Sequence, residues 1–363
     1  MMVFDISKKW LILAPASVPA ARGAADELAS YIGLLRSRAG LAGEPPQIED
    51  AETVSPPDAV PVILLNAAGG SPDRNGFAWR IGRDRIEIQG DSGRGLWNAV
   101  FDFLAVLGIR WPEPGWEEFP PPAPSSSPGA YPLKNDRDYC PSASSVKERR
   151  RLFVGEKLKA KKRELLIQWA ARNKYDALVF PLAEKNLWNK AQRGKGIYAE
   201  TGRYALILEA GGRDLSCLLP RSLFFFHRDM FRMDSGGRVR ESHFCLSNPK
   251  TIARIKMTAE KLFVRAMMGM DAQTVFRPGA AGENAATPVF HLWPDQGHEK
   301  IWCACPACRA FSPAEQNRIA INSVTDVLAD LDPRAWLSYL EYPVEAPAAG
   351  GVVLHDNTFC VST

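Results

Sequence analysis

Between residues 18 and 38 apolar side chains recur at three- and four-residue spacing, with Leu28, Ile32 and Leu35 on one face. That spacing predicts an amphipathic helix. Leu11 to Leu13 before it reads as a strand, and Pro61 to Asn66 (PVILLN) is the short apolar run expected of a buried strand. The period then falls to two in Phe77 to Ile81 and Arg85 to Gln89, and the turn Gly82-Arg83-Asp84 between them predicts a hairpin. Asp91 or Ser92 is placed to cap the next helix. Leu96, Val100, Phe103, Leu104 and Leu107 form its apolar face, and Gly108 ends it. Residues 1–120 are therefore expected to form a small, sandwich-like α/β domain.

The periodicity lapses in residues 120–132, PPPAPSSSPGAYP, and residues 121–144 read as an extended Pro/Ser-rich linker. Beyond it, strand-like runs return at Arg151 to Val154, Ala177 to Phe180, Ala205 to Glu209, Val289 to Trp293 and Ala335 to Glu341. Helical patterns separate them. One runs through Leu166, Trp169 and Ala170. Another opens at Asn248-Pro249 and carries Ile252, Ile255, Ala259 and Leu262. A third opens at the capping box Ser312-Pro313-Ala314-Glu315 and buries Ile321, Val324, Leu328 and Leu331. Strands alternating with helices imply parallel βα units. A closed barrel of such units has eight strands and about 250 residues, more than the five strands legible here. The expected fold class is α/β, with a partial or truncated (β/α) barrel over residues 145–345 and an irregular tail over 346–363. An open sheet exposes its edges and an apolar inner face, so a homodimer through the open side is expected.

Composition narrows the function. Hydrophobic residues at 46% and charged residues at 24% are globular values, and a net charge of +4 gives no footprint for nucleic acid. The basic run Lys147 to Arg151, continued by Lys157, Lys159, Lys161, Lys162 and Arg163, reads as a solvated helix face without interleaved aromatics. No stretch approaches the roughly 18 apolar residues of a membrane span. Trp10 to Ala16 is too short for the apolar centre of a signal peptide. Seven cysteines, three of them clustered, do not make a disulfide framework. A cytoplasmic location is expected, or an exported one if a signal peptide is missing from this chain.

In a (β/α) barrel the chemistry sits at the C-terminal ends of the strands. Asp295 follows the strand VFHLW beside Trp293, whose ring suits the face of a pyranose. Glu341 ends the strand AWLSYLE next to Tyr342. Glycoside hydrolysis needs two carboxyl groups about 5 to 10 Å apart, and Asp295 with Glu341 is the best catalytic pair. Each also has a plain structural reading, as a turn cap or an ion-pair partner. Trp293, Asp214, His227, His243 and Tyr342 are candidates for substrate contact, the two histidines equally readable as core or surface groups. Glu209, before Gly211-Gly212-Arg213-Asp214, reads as a hydroxyl ligand or as a plain strand-to-helix turn. Cys303, Cys305 and Cys308, with His298 upstream, offer the donor set of a structural zinc site or else a loop of packed thiols. No other cofactor is implied.

The segments Gly76 to Ile81, Ile86 to Gly90, Arg94-Gly95-Leu96-Trp97-Asn98-Ala99-Val100 and Leu107-Gly108-Ile109-Arg110-Trp111 resemble the small domain that precedes the catalytic barrel in β-hexosaminidases and α-glucuronidases. Gln168 to Tyr175, Gly211 to Pro220, His243 to Pro249, Trp293-Pro294-Asp295 and the Cys303 to Cys308 run resemble an uncharacterised barrel family found directly after that domain. The resemblance implies a protein that acts on glycans. It implies a histidine where this chain has Arg213. Two readings follow: a glycoside hydrolase-like enzyme with a carbohydrate substrate, or a non-catalytic carbohydrate-binding or scaffold protein on an incomplete barrel.

Overall fold

The computed structural model describes residues 2–41, 43–55, 60–70, 73–121, 129–133, 137–140, 146–155, 158–184, 187–188, 197–274, 286–295, 301–340 and 351–361. The N-terminal half holds β1 (Met2–Asp5), β2 (Leu11–Ala14), α1 (Pro19–Arg38), β3 (Gln47–Asp50), β4 (Val62–Ala67), β5 (Phe77–Ile81), β6 (Arg85–Gly90), α2 (Gly93–Val106), β7 (Ala130–Leu133) and β8 (Arg137–Cys140). Six of these strands form one sheet in the order β3-β2-β4-β6-β5-β8, and β1 pairs with β7 separately. The hairpin β5–β6 forms in the expected register, Phe77 opposite Gly90 and Ile81 opposite Ile86. Ser92, rather than Asp91, caps α2 by accepting a hydrogen bond from the Gly95 amide. Gly108 takes φ +100° just beyond that helix, a left-handed conformation that costs glycine little. Two strands lie where a linker is expected: β7 and β8 fall inside residues 121–144 and return to the N-terminal sheets.

The second half alternates as βα units: β9 (Arg151–Phe153), α3 (Ala160–Arg172), β10 (Ala177–Phe180), α4 (Ile197–Arg203), β11 (Ile207–Gly212), a short hairpin β12 (Met233–Asp234) and β13 (Gly237–Arg238), α5 (Pro249–Thr274), β14 (Val289–Leu292), α6 (Pro313–Leu331), β15 (Trp336–Tyr339) and β16 (Thr358–Cys360). Among the described residues the sheet has six parallel strands in the order β16-β15-β14-β11-β10-β9. This is a partial (β/α) barrel. It has one strand more than the sequence suggests, because β16 lies in the stretch read as an irregular tail. The third strand also runs later than expected: Ala205 turns at φ +51° before it, and it continues to Gly212. The capping box at Ser312 forms with both its bonds, and Pro313 opens α6.

Strand alternation sorts the residues. Leu178, Leu208, Ala210, Phe290, Leu292 and Leu337 join the main core together with Ile255, Phe263, Ile321, Val324 and Leu328 of α5 and α6. The register places Glu209, Gly211, His291, Ser338 and Phe359 on the opposite, inner face. That face mixes polar and aromatic groups with the aliphatic side chains of Val179, Ile207 and Val289, which are buried rather than exposed as an open sheet suggests. The two edge strands also approach each other across it, with the Arg151 guanidinium 5.3 Å from the Phe359 ring centroid. The sheet therefore curls, and among the described residues its edge strands are not paired with each other.

The Arg94-Gly95-Leu96-Trp97 motif is the joint between the halves. Buried Arg94 donates to the carbonyls of Ala171 (2.8 Å), Tyr175 (3.0 Å) and Tyr204 (3.2 Å). Gly95 packs so closely that a Cβ would lie 2.5 Å from the Gly76 carbonyl. The fully buried Trp97 ring meets Tyr204 at 4.9 Å. Trp111 closes the same joint, its carbonyl accepting from Trp169 Nε1 (2.9 Å) and Asn173 Nδ2 (3.1 Å).

Candidate functional site

The inner face carries a chain of buried polar groups. Glu209 is fully buried on β11 and receives Arg149 Nη1 on Oε1 and Arg151 Nε on Oε2, both at 2.6 Å. Arg149 also reaches Asp73 of the N-terminal half at 2.5 Å, and the Thr287 hydroxyl donates to Asp73 at 2.8 Å. His291 Nε2 lies 2.8 Å from Glu209 Oε2, and its Nδ1 lies 2.5 Å from Ser338 Oγ. Ser338 Oγ accepts from Trp293 Nε1 at 3.0 Å, and the ionised Glu209, which can only accept, takes the hydrogen bond from His291 Nε2, leaving Nδ1 of the neutral ring to accept from the Ser338 hydroxyl. That fixes the neutral tautomer with the proton on Nε2, donated to Glu209. Burial opposes the Glu209 charge, but Arg151, the His291 bond and Arg149 together hold the carboxyl well below its usual range. Burial depresses His291, and the Glu209 bond only partly offsets it. The result is a neutral imidazole between a balanced set of two carboxylates and two guanidinium groups.

This network departs from the sequence reading at two points. Arg149 and Arg151 are not on a solvated helix face. They flank and begin a strand and are buried against Glu209, while Lys161 and Lys162 further along the run are exposed on α3, as expected. Glu209 is neither a turn residue nor open to solvent. Gly211 beside it takes φ +127°, and a Cβ there would lie 1.8 Å from the His291 carbonyl, so the close approach of β11 and β14 requires glycine.

At the C-terminal ends of these strands the structure gathers three predicted residues. Trp293, Asp295 and Asp214 are all partly exposed. The Leu215 amide donates to the Trp293 carbonyl at 3.1 Å, and the Trp293 amide to Gly212 at 2.8 Å. Asp295 Oδ1 accepts from the Ser216 amide at 3.1 Å, and Asp214 Oδ2 accepts from the Leu182 amide at 2.8 Å. Both carboxylates thus order the loops around them, and Asp295 Oδ2 has no hydrogen-bond partner among the described residues. Phe153 packs against Trp293 with ring centroids 4.5 Å apart and planes tilted by 41°, and extends the aromatic wall. The Cys217 thiol lies between these groups. Burial first, then the charges of Asp214 and Asp295, push it far above the usual thiol range, so it stays protonated. Arg221 feels the Asp295 charge and donates to the carbonyls of Ser216 and Arg240.

The remaining candidates are placed elsewhere. His227 is exposed beside a short helical turn, and Arg213 is exposed as well. His243 is fully buried and stacked on Trp302 at 4.5 Å. Burial, then Arg221 and Arg232, lower its pKa to about 3. Glu341, Tyr342 and His298 lie outside the described residues. Cys303, Cys305 and Cys308 converge as expected, but the fourth member of the group is Cys245, and all four Sγ atoms lie within 4.8 Å of one another.

No family model matches the chain, and no curated protein matches it either. Solved structures do match. The chitobiase of Flavobacterium johnsoniae is similar at TM-score 0.53 and 14% identity, over 93% of this chain and 50% of that one. The GH20 exo-β-N-acetylglucosaminidase of Vibrio harveyi, in complex with N-acetylglucosamine, is similar at TM-score 0.51 and 12% identity, over 99% of this chain and 54% of that one. The chain thus shares their fold while spanning about half their length. Among the described residues no helix is long and apolar enough to cross a membrane.

Proposed function

We propose that this chain acts on carbohydrate as a glycoside hydrolase-like protein, with its sugar site at the C-terminal ends of β11, β14 and β15. The observation that carries this reading is the convergence of Trp293, Asp295 and Asp214 at those ends, next to Phe153. An apolar ring face and carboxylates beside it are what a pyranose requires: CH groups stack on the ring and hydroxyls donate to the carboxylates. Asp295 is the acid, base or hydroxyl ligand, and Glu341 is the second carboxyl of the pair. Trp293 is held in place from below by Ser338, His291 and Glu209. That buried chain makes the ring a fixed wall rather than a mobile one. One of the similar folds is by its name an exo-β-N-acetylglucosaminidase in complex with N-acetylglucosamine, so that sugar is the first substrate to test.

A screen of chromogenic glycosides run beside a glycan-binding array tests the reading. Hydrolysis of one class, or retention of one glycan, supports a carbohydrate site. Retention without hydrolysis identifies a binding protein, and neither response would remove carbohydrate from the function.

A further inference from the structure

We propose that Cys245, Cys303, Cys305 and Cys308 bind one zinc ion that locks the loop after β14 onto the segment before α5. The four thiols are free and buried. They come from two places in the chain, since Cys245 is 60 residues upstream of Cys305. Cys245 Sγ lies 3.7 Å from Cys305 Sγ and 3.8 Å from Cys308 Sγ. A zinc ion at about 2.3 Å from four tetrahedral sulfurs sets them about 3.8 Å apart. All four fall within 4.8 Å of one another, so no pair lies more than about 1 Å beyond that ideal spacing. An iron–sulfur cluster interposes its own inorganic core and spreads its cysteines wider than a single ion does.

The surroundings suit thiolates. The Met233 amide donates to Cys303 Sγ at 3.3 Å and the Cys308 amide to Cys305 Sγ at 3.4 Å. Arg238 Nη1 lies 3.8 Å from Cys303 Sγ and supplies positive charge beside four sulfurs whose total charge exceeds that of the ion. Ser247 Oγ lies 3.2 to 3.4 Å from the other three sulfurs and caps the face they form. These four cysteines form a cluster apart from the main hydrophobic core, with the apolar side chain of Met233 packed on it. Among its described residues the segment they pin includes a short helical turn at Cys308–Ala310. Ala304 N bonds to the Met233 carbonyl at 2.7 Å, so the hairpin β12–β13 is tied in as well. Four protein sulfurs leave no open coordination position, so the ion is structural and not catalytic. The proposal stands independently of the carbohydrate reading.

The test is metal analysis of the purified native chain, followed by titration with a mercurial reagent in the presence of a colorimetric zinc chelator. One zinc per chain, released as four thiols are modified, is the expected result. Cys245→Ser is expected to lose the ion while Cys360→Ser keeps it. Should Cys245→Ser fail to fold, the thiol-to-zinc ratio of the unmodified chain still decides. Four thiols that react at once in a metal-free native protein would overturn the proposal. So would disulfides among these cysteines, iron in place of zinc, or full zinc content in a folded Cys245→Ser.

Discussion

Replacing Arg94 by Met tests whether the joint between the two halves is built as described. Methionine keeps most of the apolar stem and removes the planar fork. Three charge-assisted hydrogen bonds vanish, to the carbonyls of Ala171, Tyr175 and Tyr204. Bonds to a charged donor contribute about 1.5 to 3 kcal/mol each, so the gross loss is at least ~4.5 kcal/mol. Two effects offset part of it. Met spares the desolvation of a buried guanidinium, and the Ala171 carbonyl keeps its bond from the Lys174 amide at 3.1 Å. A net destabilisation of about 3 kcal/mol is expected. The assay is equilibrium unfolding in urea, followed by both far-ultraviolet circular dichroism and tryptophan fluorescence. Because the lost bonds join the two halves, the two probes should also separate in the variant. Arg94→Lys is the control: a single ammonium cannot meet three carbonyls arranged around a fork, so it should be destabilised nearly as much. A loss under about 1 kcal/mol with coincident transitions would refute the assignment of Arg94 as the joint.

Other consequences follow from the buried chain on the inner face. Glu209→Gln removes the buried carboxylate that Arg149 and Arg151 share. A loss of about 3 to 5 kcal/mol by urea unfolding is expected, and a near-neutral change would mean that water reaches this network. His291 has a folded pKa below that of free imidazole. The unfolded chain therefore takes up the proton first as pH falls, and stability drops below about pH 6.5 by up to ~1.4 kcal/mol per unit from this group. Glu209, also depressed, adds its own loss below about pH 4.5. Unfolding measured at pH 7.5, 6 and 5 should show this decline, and His291→Gln should flatten it between pH 6.5 and 5. Equal slopes in the two proteins would show that His291 is not held neutral.

The sequence makes local structure readable and distant partnership hard to see. The hairpin β5–β6, the Ser92 cap and the Ser312 capping box depend on residues within a few positions of one another, and all of them form. Arg149 and Arg151 look like part of a solvated basic run because their partner Glu209 lies 60 and 58 residues away. Cys245 is missed for the same reason: it lies 60 residues from Cys305, and only the fold brings its thiol to Cys303, Cys305 and Cys308. β16 is short and follows glycines, so it has too little pattern of its own; its place comes from pairing with β15. The strand ends were more legible. A barrel rule selects Asp295, Trp293 and Asp214, and the structure brings these three together. The buried support behind Trp293 has one signal in the sequence, a single polar residue within each of three otherwise apolar strands, at Glu209, His291 and Ser338.

The proposed sugar site is tested most directly by titrating N-acetylglucosamine oligosaccharides, and assaying chromogenic β-N-acetylglucosaminide hydrolysis, on the chain and on Asp295→Asn. Asp295 is partly exposed and takes one backbone bond, so the Asn variant should fold with an unchanged unfolding midpoint. The unmodified chain is expected to bind or cleave, and the folded Asn variant to lose that response by at least tenfold, about 1.4 kcal/mol. An Asn variant that binds and turns over as well as the unmodified chain would place the site elsewhere in the molecule.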